Sequence, residues 1–168
     1  MNITVTDACI FIDLIECNAC EAFLNLPCSI ITSYQVWMEL EEEQRSIILN
    51  SGEDQLAIVQ IEEDFISITK QENLSQQLSI ADRSVWFLAK NRNGILLTSD
   101  GTLRKMGKNA DIETHGLLWI FDQMVQHQTL STSMASTKLQ KVFDENAYYR
   151  TDQKLKEAFQ RLLKKWDS

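Results

Sequence analysis

The chain has 168 residues, 44% hydrophobic and 24% charged, with a net charge of −8 at pH 7. That length suits one domain with at most an appended element, and it supplies a core without disulfide or metal staples. One Pro and five Gly exclude a Pro/Gly-rich linker, and no apolar run approaches the ~20 residues of a transmembrane helix.

The N-terminus lacks a basic flank and Asp7 interrupts it, so no signal peptide is expected. The expected location is cytoplasmic, with no membrane partner. From Thr129 onward there are eight basic and five acidic residues, so 129–168 is about +3 and 1–128 about −11. An acidic body binds phosphate poorly by itself, because that attraction rests on Lys and Arg. Nucleic-acid chemistry here needs cations or the basic tail.

Ile3-Thr4-Val5-Thr6 is a β-branched run that stops on Asp7. Phe11–Leu24 reads as an amphipathic helix ending before Pro27. All four cysteines lie in this first part: Cys9, Cys17, Cys20 and Cys28. Cys17 and Cys20 have the spacing of a zinc or redox pair, but they fall in the helical apolar pattern with no second pair, which favours core thiols. Asp13 begins the same helix and is expected to face solvent. Cys28–Thr32 is a second short strand. Ser33 can cap a helix from Tyr34 to about Glu43, carrying Glu39 among several acids.

Residues 44–75 are the least ordered in pattern. Ile47-Ile48-Leu49 extends a helix to the Asn50-Ser51-Gly52 break. Leu56–Ile61 and Phe65–Thr69 both alternate like strands, one of them an edge strand. Ser79 opens a helix to about Asn93, with Gly94 in the C-cap position. Ile95–Ser99 is a buried strand ending on Asp100 and Gly101. Thr102–Met106 is a turn or short helix, Ala110–Glu113 a weak strand, and Leu117–Val125 an apolar helix. His115 and His127 flank it as cap or surface residues. The tail, 129–168, holds two helical stretches. In the second, Leu155, Phe159, Leu162, Leu163 and Trp166 form one stripe that must pack on the body or on a second chain.

Alternating strands and helices predict an α/β fold with a mostly parallel sheet. In such sheets ligands bind outside the carboxyl ends of the strands. Asp7 and Asp100 would then stand side by side on that edge, with Glu39 and Asp82 nearby. Clustered carboxylates suit a hard divalent cation. Each acid also has a plain structural alternative: Asp82 completes a capping box with Ser79, Asp100 is a turn residue, and Glu39 belongs to a solvated helix face.

Thr6-Asp7-Ala8-Cys9-Ile10-Phe11-Ile12, Val36-Trp37-Met38-Glu39-Leu40, Leu78-Ser79-Ile80-Ala81-Asp82 and Leu97-Thr98-Ser99-Asp100 resemble, in order, the acidic motifs of PIN domains. The spacing is similar to that of small prokaryotic members such as VapC-type toxins, over roughly residues 1–128. The resemblance implies a PIN-like α/β/α sandwich as the catalytic domain, with 129–168 as a C-terminal helical extension packed on the body or a partner. It implies Mg²⁺- or Mn²⁺-dependent cleavage of RNA, a small antitoxin partner and a homodimer. By position, Asp7, Glu39, Asp82 and Asp100 would be the catalytic acids, with Asp7, Asp82 and Asp100 on the metal and Thr98 and Thr102 as accessory groups. Two positions depart from the pattern. Cys9 stands where many members carry Ser, Thr or Asn, and Gly101-Thr102-Leu103-Arg104 lacks the further acid that often follows the fourth strand. The rival readings are a catalytically weak PIN-like domain that binds a partner protein, and a different Mg²⁺-dependent α/β phosphatase. The second lacks a paired Asp-x-Asp after the first strand.

Overall fold

The structure is a computed structural model that describes residues 2–168. Five parallel strands form one sheet: β1 (Ile3–Thr6), β2 (Ser29–Ser33), β3 (Leu56–Val59), β4 (Ile95–Leu97) and β5 (Thr114–His115), in the order β3-β2-β1-β4-β5. β1 is central, and its Val5 pairs with Ile31 on one side and Leu96 on the other. Val5, Leu96 and Leu97 are fully buried, as expected of a parallel sheet covered on both faces.

The helices are α1 (Ala8–Glu16), α2 (Cys20–Leu24), α3 (Tyr34–Glu39), α4 (Glu42–Gly52), α5 (Phe65–Gln71), α6 (Ile80–Arg92), α7 (Gly101–Asn109), α8 (Leu117–Gln126), α9 (Thr132–Glu145), α10 (Ala147–Thr151) and α11 (Gln153–Trp166). On one face α6 lies against β1, β2 and β4, with α5 and α7 beside it. On the other, α1, α2, α4 and α8 pack together. This is the α/β/α sandwich expected from the alternation of elements. No helix among the described residues is long and apolar enough to cross a membrane.

Several boundaries differ from the sequence reading. The helix expected over Phe11–Leu24 breaks after Glu16, because Asn18 takes a left-handed conformation at φ 53°. Asn tolerates that region, and the turn lets Ala19 N–H donate to Leu14 O. The helix expected over Tyr34–Glu43 is two helices. Leu40 turns extended and buries its side chain, and Gln44 accepts from the Glu41 amide to start α4. Leu56–Ile61 does supply the edge strand β3. Phe65–Thr69 is helical, because Asp64 caps Ser67 N–H and Thr69 donates back to Phe65 O.

After α6 the left-handed residue is Asn93, at φ 48°. Gly94 is needed for space instead, since a Cβ there would stand 3.1 Å from Ile3 O. The weak strand falls at Thr114–His115, because the chain is still turning through Ala110 and Asp111.

The tail forms three helices. α9 packs on α8 through Ala135, Leu139 and Val142, and Phe159 of α11 stacks on Phe143 at 4.6 Å. Lys138 donates to Cys17 O and Asn18 O, and Lys141 donates to Glu16 O. These are the free carbonyls at the end of α1, where positive charge is favoured. Lys165 and Trp166 both donate to Asp122 of α8. The apolar stripe of α11 is thus spent on the body of the same chain.

Candidate active site

Parallel register sets the ends of β1 and β4 together: Thr6 pairs with Leu97, and Asp7 N–H donates to Leu97 O at 3.0 Å. Asp7 follows at the carboxyl edge as the N-cap of α1. Its carboxylate is only 4% exposed. Oδ1 accepts from Ala8 N–H at 2.7 Å, and Oδ2 accepts from Thr98 Oγ1 at 2.8 Å and from Cys9 Sγ at 3.1 Å. Cys9 also accepts from Ser99 N–H at 3.2 Å. The thiol therefore serves as the local donor and acceptor, as a hydroxyl would in its place. Burial raises its pKa, and the Asp7 charge adds to this, so it stays protonated and able to donate.

Burial pushes the Asp7 pKa above the usual carboxylate range. The Cys9 and Thr98 hydrogen bonds oppose the shift, and the charge of Asp82 adds to it. Glu39, exposed at the end of α3, is raised by partial burial, then by Asp82, then by Asp7. Glu39 is the last residue of α3, where the chain turns extended at Leu40. Asp82 is held by its capping box: Ser79 N–H donates to Asp82 Oδ2 at 2.7 Å, and Asp82 N–H donates to Ser79 Oγ at 3.1 Å. Deeper in, Ser33 and Ser84 hydroxyls meet at 2.6 Å and tie the end of β2 to α6.

Asp7, Glu39 and Asp82 thus feel one another's charge. Asp100 is joined to Asp7 through Thr98, whose hydroxyl accepts from Asp100 N–H at 3.0 Å and donates to Asp7 at 2.8 Å. Asp100 is exposed, caps α7 by accepting from Leu103 N–H at 2.7 Å, and its charge acts on Tyr148. Thr98, rather than Asp100, is the β4-end residue that touches Asp7. Thr102 is half-buried in the first turn of α7.

On the other flank of Asp7 lies a group that the sequence reading did not assemble. Asp13 does not face solvent as its helix position suggests, being only 5% exposed. Tyr149 of α10 donates to its Oδ2, and Ser99 Oγ and the Tyr149 hydroxyl lie 2.7 Å apart. Asn146 reaches Asp13 Oδ1 at 3.4 Å. Burial raises the Asp13 pKa to about 6 against the pull of the Tyr149 hydrogen bond. Tyr148 donates to Ser99 O at 3.0 Å. The available signal was an acid set between Ile10-Phe11-Ile12 and Leu14-Ile15, where a solvated residue has no business.

Cys17 and Cys20 are buried free thiols with pKa values pushed up by burial to about 11 and about 12. They are core residues of the α1–α2 turn. His115 stacks on Trp119 at 4.2 Å and bonds Glu113, while His127 caps the end of α8.

The donors can be tested against a divalent cation. Asp7, Glu39 and Asp82 offer only carboxylate oxygen, which suits Mg²⁺ or Mn²⁺ over softer metals. Among the described residues, no three His, Cys, Asp or Glu side chains are close enough to hold an ion as they stand. The donors fit by type, and they are not gathered into a finished cage.

A buried acid at the carboxyl edge of a five-stranded parallel sheet, within the electrostatic reach of Asp82 and Glu39, defines a class of α/β proteins with a polar site at that edge. The family model described as DUF3368: PIN domain matches residues 3–165, so the chain belongs to this PIN-domain family. PIN domains are generally nucleases. The matched span includes α9 and α10 and nearly all of α11. A comparison with curated proteins gives no match. Among solved structures, the chain is similar to a PilT N-terminus domain protein from the hyperthermophilic archaeon Sulfolobus solfataricus P2. The identity is 10%, over 77% of this chain and 94% of that one, with a TM-score of 0.49. It is also similar to a domain of a functionally unknown protein from Methanocaldococcus jannaschii DSM 2661, at 23% identity over 70% of this chain and 91% of that one, with a TM-score of 0.43.

Proposed function

We propose that this chain is a Mg²⁺- or Mn²⁺-dependent endoribonuclease that hydrolyses RNA phosphodiesters, and that it acts as the toxin of a toxin–antitoxin pair, held in check by a small antitoxin. The observation that supports this most is the buried Asp7 carboxylate, kept at the sheet edge despite the charges of Asp82 and Glu39. Burying a carboxylate beside like charges costs free energy, and a function that needs the charge there accounts for keeping it. Asp7, Asp82 and Glu39 would hold the cation, with Asp100 at the rim. A bound divalent ion lowers the pKa of its water and offsets the charge of the substrate phosphate.

The chain's own groups have separate tasks. Thr98 and Cys9 fix the orientation of Asp7 through Oδ2. The Ser79–Asp82 box fixes the start of α6, and with it the place of the Asp82 carboxylate. The absence of a finished three-ligand cage among the described residues favours one rival, a protein-binding module with weak catalysis.

Incubating single-stranded RNA with Mg²⁺, Mn²⁺ or EDTA separates the two. Cleavage should need the cation. Asp7→Asn should reduce it by more than the roughly 10–100-fold that loss of an outer-sphere partner costs. Asp100→Asn should cost less than Asp7→Asn. Cleavage that is equal in EDTA, or unchanged in Asp7→Asn, would count against the nuclease reading.

A further inference from the structure

Beside the carboxylate edge, two clefts meet at a ridge made by α10. One, of about 280 Å³, is lined by Cys9, Asp13, Ser99, Asp100, Asn146 and Tyr148. The other, of about 230 Å³, is lined by Ser99, Arg104, His115, Trp119, Tyr148 and Leu155, among others. Ser99, Tyr148 and Tyr149 border both. The end of β4, one residue beyond Thr98, therefore opens directly onto the second cleft.

Three features give that second cleft a chemistry. The Tyr148 ring is 45% exposed, yet it is not loose. Its hydroxyl is tied to Ser99 O at 3.0 Å, and its ring meets Tyr149 edge-on at 5.0 Å. The Arg104 guanidinium has no hydrogen-bond or carboxylate partner among the described residues. It lies where residue 116 has no side chain, since a Cβ on Gly116 would stand 2.9 Å from Arg104 Nη1. Finally, of the three basic residues of α7 (Arg104, Lys105 and Lys108), Arg104 is the one that lines this cleft, and its charge acts on Tyr148 together with those of Asp100 and Asp152.

A fixed, half-open aromatic ring beside an unspent guanidinium matches a nucleotide, with base on ring and phosphate on cation. An acidic partner peptide would use the guanidinium but leave the ring without a role. We propose that Tyr148 and Arg104 form a nucleotide subsite for single-stranded RNA, holding the residue next to the scissile phosphate. This deepens the nuclease reading and rests on it for the identity of the ligand. It also gives the C-terminal helices a part in binding substrate, because Tyr148 is delivered by α10.

The test uses the full chain and a fluorescein-labelled oligoribonucleotide of about ten nucleotides. Binding is read by anisotropy in EDTA at several salt concentrations, so that cleavage plays no part. Tyr148→Ala should weaken binding roughly ten-fold. Tyr148→Phe and Tyr148→Trp keep a ring and should bind within about two-fold of the parent. Arg104→Gln should weaken binding and reduce the slope of log K against log salt by about 0.7. The Phe and Trp variants guard against misfolding, since the site must still form if they bind normally.

If Tyr148→Ala binds like the parent, or Tyr148→Phe falls as far as Tyr148→Ala, the subsite is overturned. A parent chain that fails to bind RNA in EDTA overturns it too. Normal behaviour of the Tyr148 series without cation-dependent cleavage would instead sink the nuclease reading and leave the RNA subsite standing.

Discussion

Among the described residues, Asp7 and Asp13 are the two buried carboxylates, six residues apart, one capping the start of α1 and the other within it. Both are pushed toward the protonated form by burial, but their surroundings differ. Asp13 meets only polar partners in its pocket: Tyr149, Ser99 and Asn146, brought by the C-terminal helices and the end of β4. The like charge of Glu16, on the same helix, also raises its pKa. Asp7 is also hydrogen-bonded, but it faces Asp82 and Glu39 across the open edge. One acid docks a segment of the chain. The other stands at the open carboxyl edge with Asp82 and Glu39, the acids proposed to hold a cation. The contrast separates a structural use of a buried acid from a chemical one.

The largest effect should come from removing what docks on Asp13. A chain ending at Gln128 loses Leu139, Val142, Phe143, Tyr149 and Phe159, all buried against the body. Each such side chain is worth ~1.5–3 kcal/mol, so the truncated chain should be insoluble or unfolded by circular dichroism. A soluble truncated chain with the parent's melting curve would remove Asp13 from any structural role.

A smaller effect, of about 2–3 kcal/mol, concerns pH. Asp13 titrates near 6 in the fold and near the ordinary carboxylate value of 3.8 when unfolded. The folded state holds this proton more tightly, so the stabilisation is present below about pH 4 and lost as pH rises through about 6. Asp13→Asn cannot titrate. Its stability relative to the parent should therefore rise between pH 4 and pH 7 in urea unfolding. A difference that stays flat across that window would contradict the assignment.

The smallest effect is at Cys9. Cys9→Ser keeps a donor to Asp7 and an acceptor for Ser99 N–H, so stability should change by less than ~1 kcal/mol. Cys9→Ala removes both, and should cost more while raising the Asp7 pKa further. Equal behaviour of the two variants would mean that the thiol only fills space.

Much of this arrangement was legible before the structure. Alternating apolar runs and helical patterns indicate the α/β/α sandwich, and runs that end on Asp7 and Asp100 indicate the carboxyl edge. The Ser79–Asp82 pair announces a capping box that is present. The misread parts share a physical cause. Asn18, Leu40 and Asn93 end helices by backbone conformation and tertiary burial, neither of which has a periodicity. Phe65–Thr69 alternates like a strand, but its Asp64 cap and Thr69 back-bond decide for helix. Asp13 and Tyr149 are 136 residues apart, and no local pattern joins them. The neighbouring strand ends were foreseen, yet the contact across them runs from Asp7 to Thr98, because Asp100 lies one step into the α7 cap.

The most direct measurement of the contrast is a set of melting curves for the parent, Asp7→Asn and Asp13→Asn, each in EDTA and in excess Mg²⁺ or Mn²⁺. At neutral pH without metal, Asp7→Asn should be as stable as the parent or more so, because a crowded charge has been removed. With metal, the parent and Asp13→Asn should both gain stability, by about 2.7 kcal/mol at a hundred times Kd, and Asp7→Asn should gain little. If Asp7→Asn keeps the parent's full metal response, Asp7 is not the acid that the cation needs, and the account of this edge as a metal-dependent site is wrong.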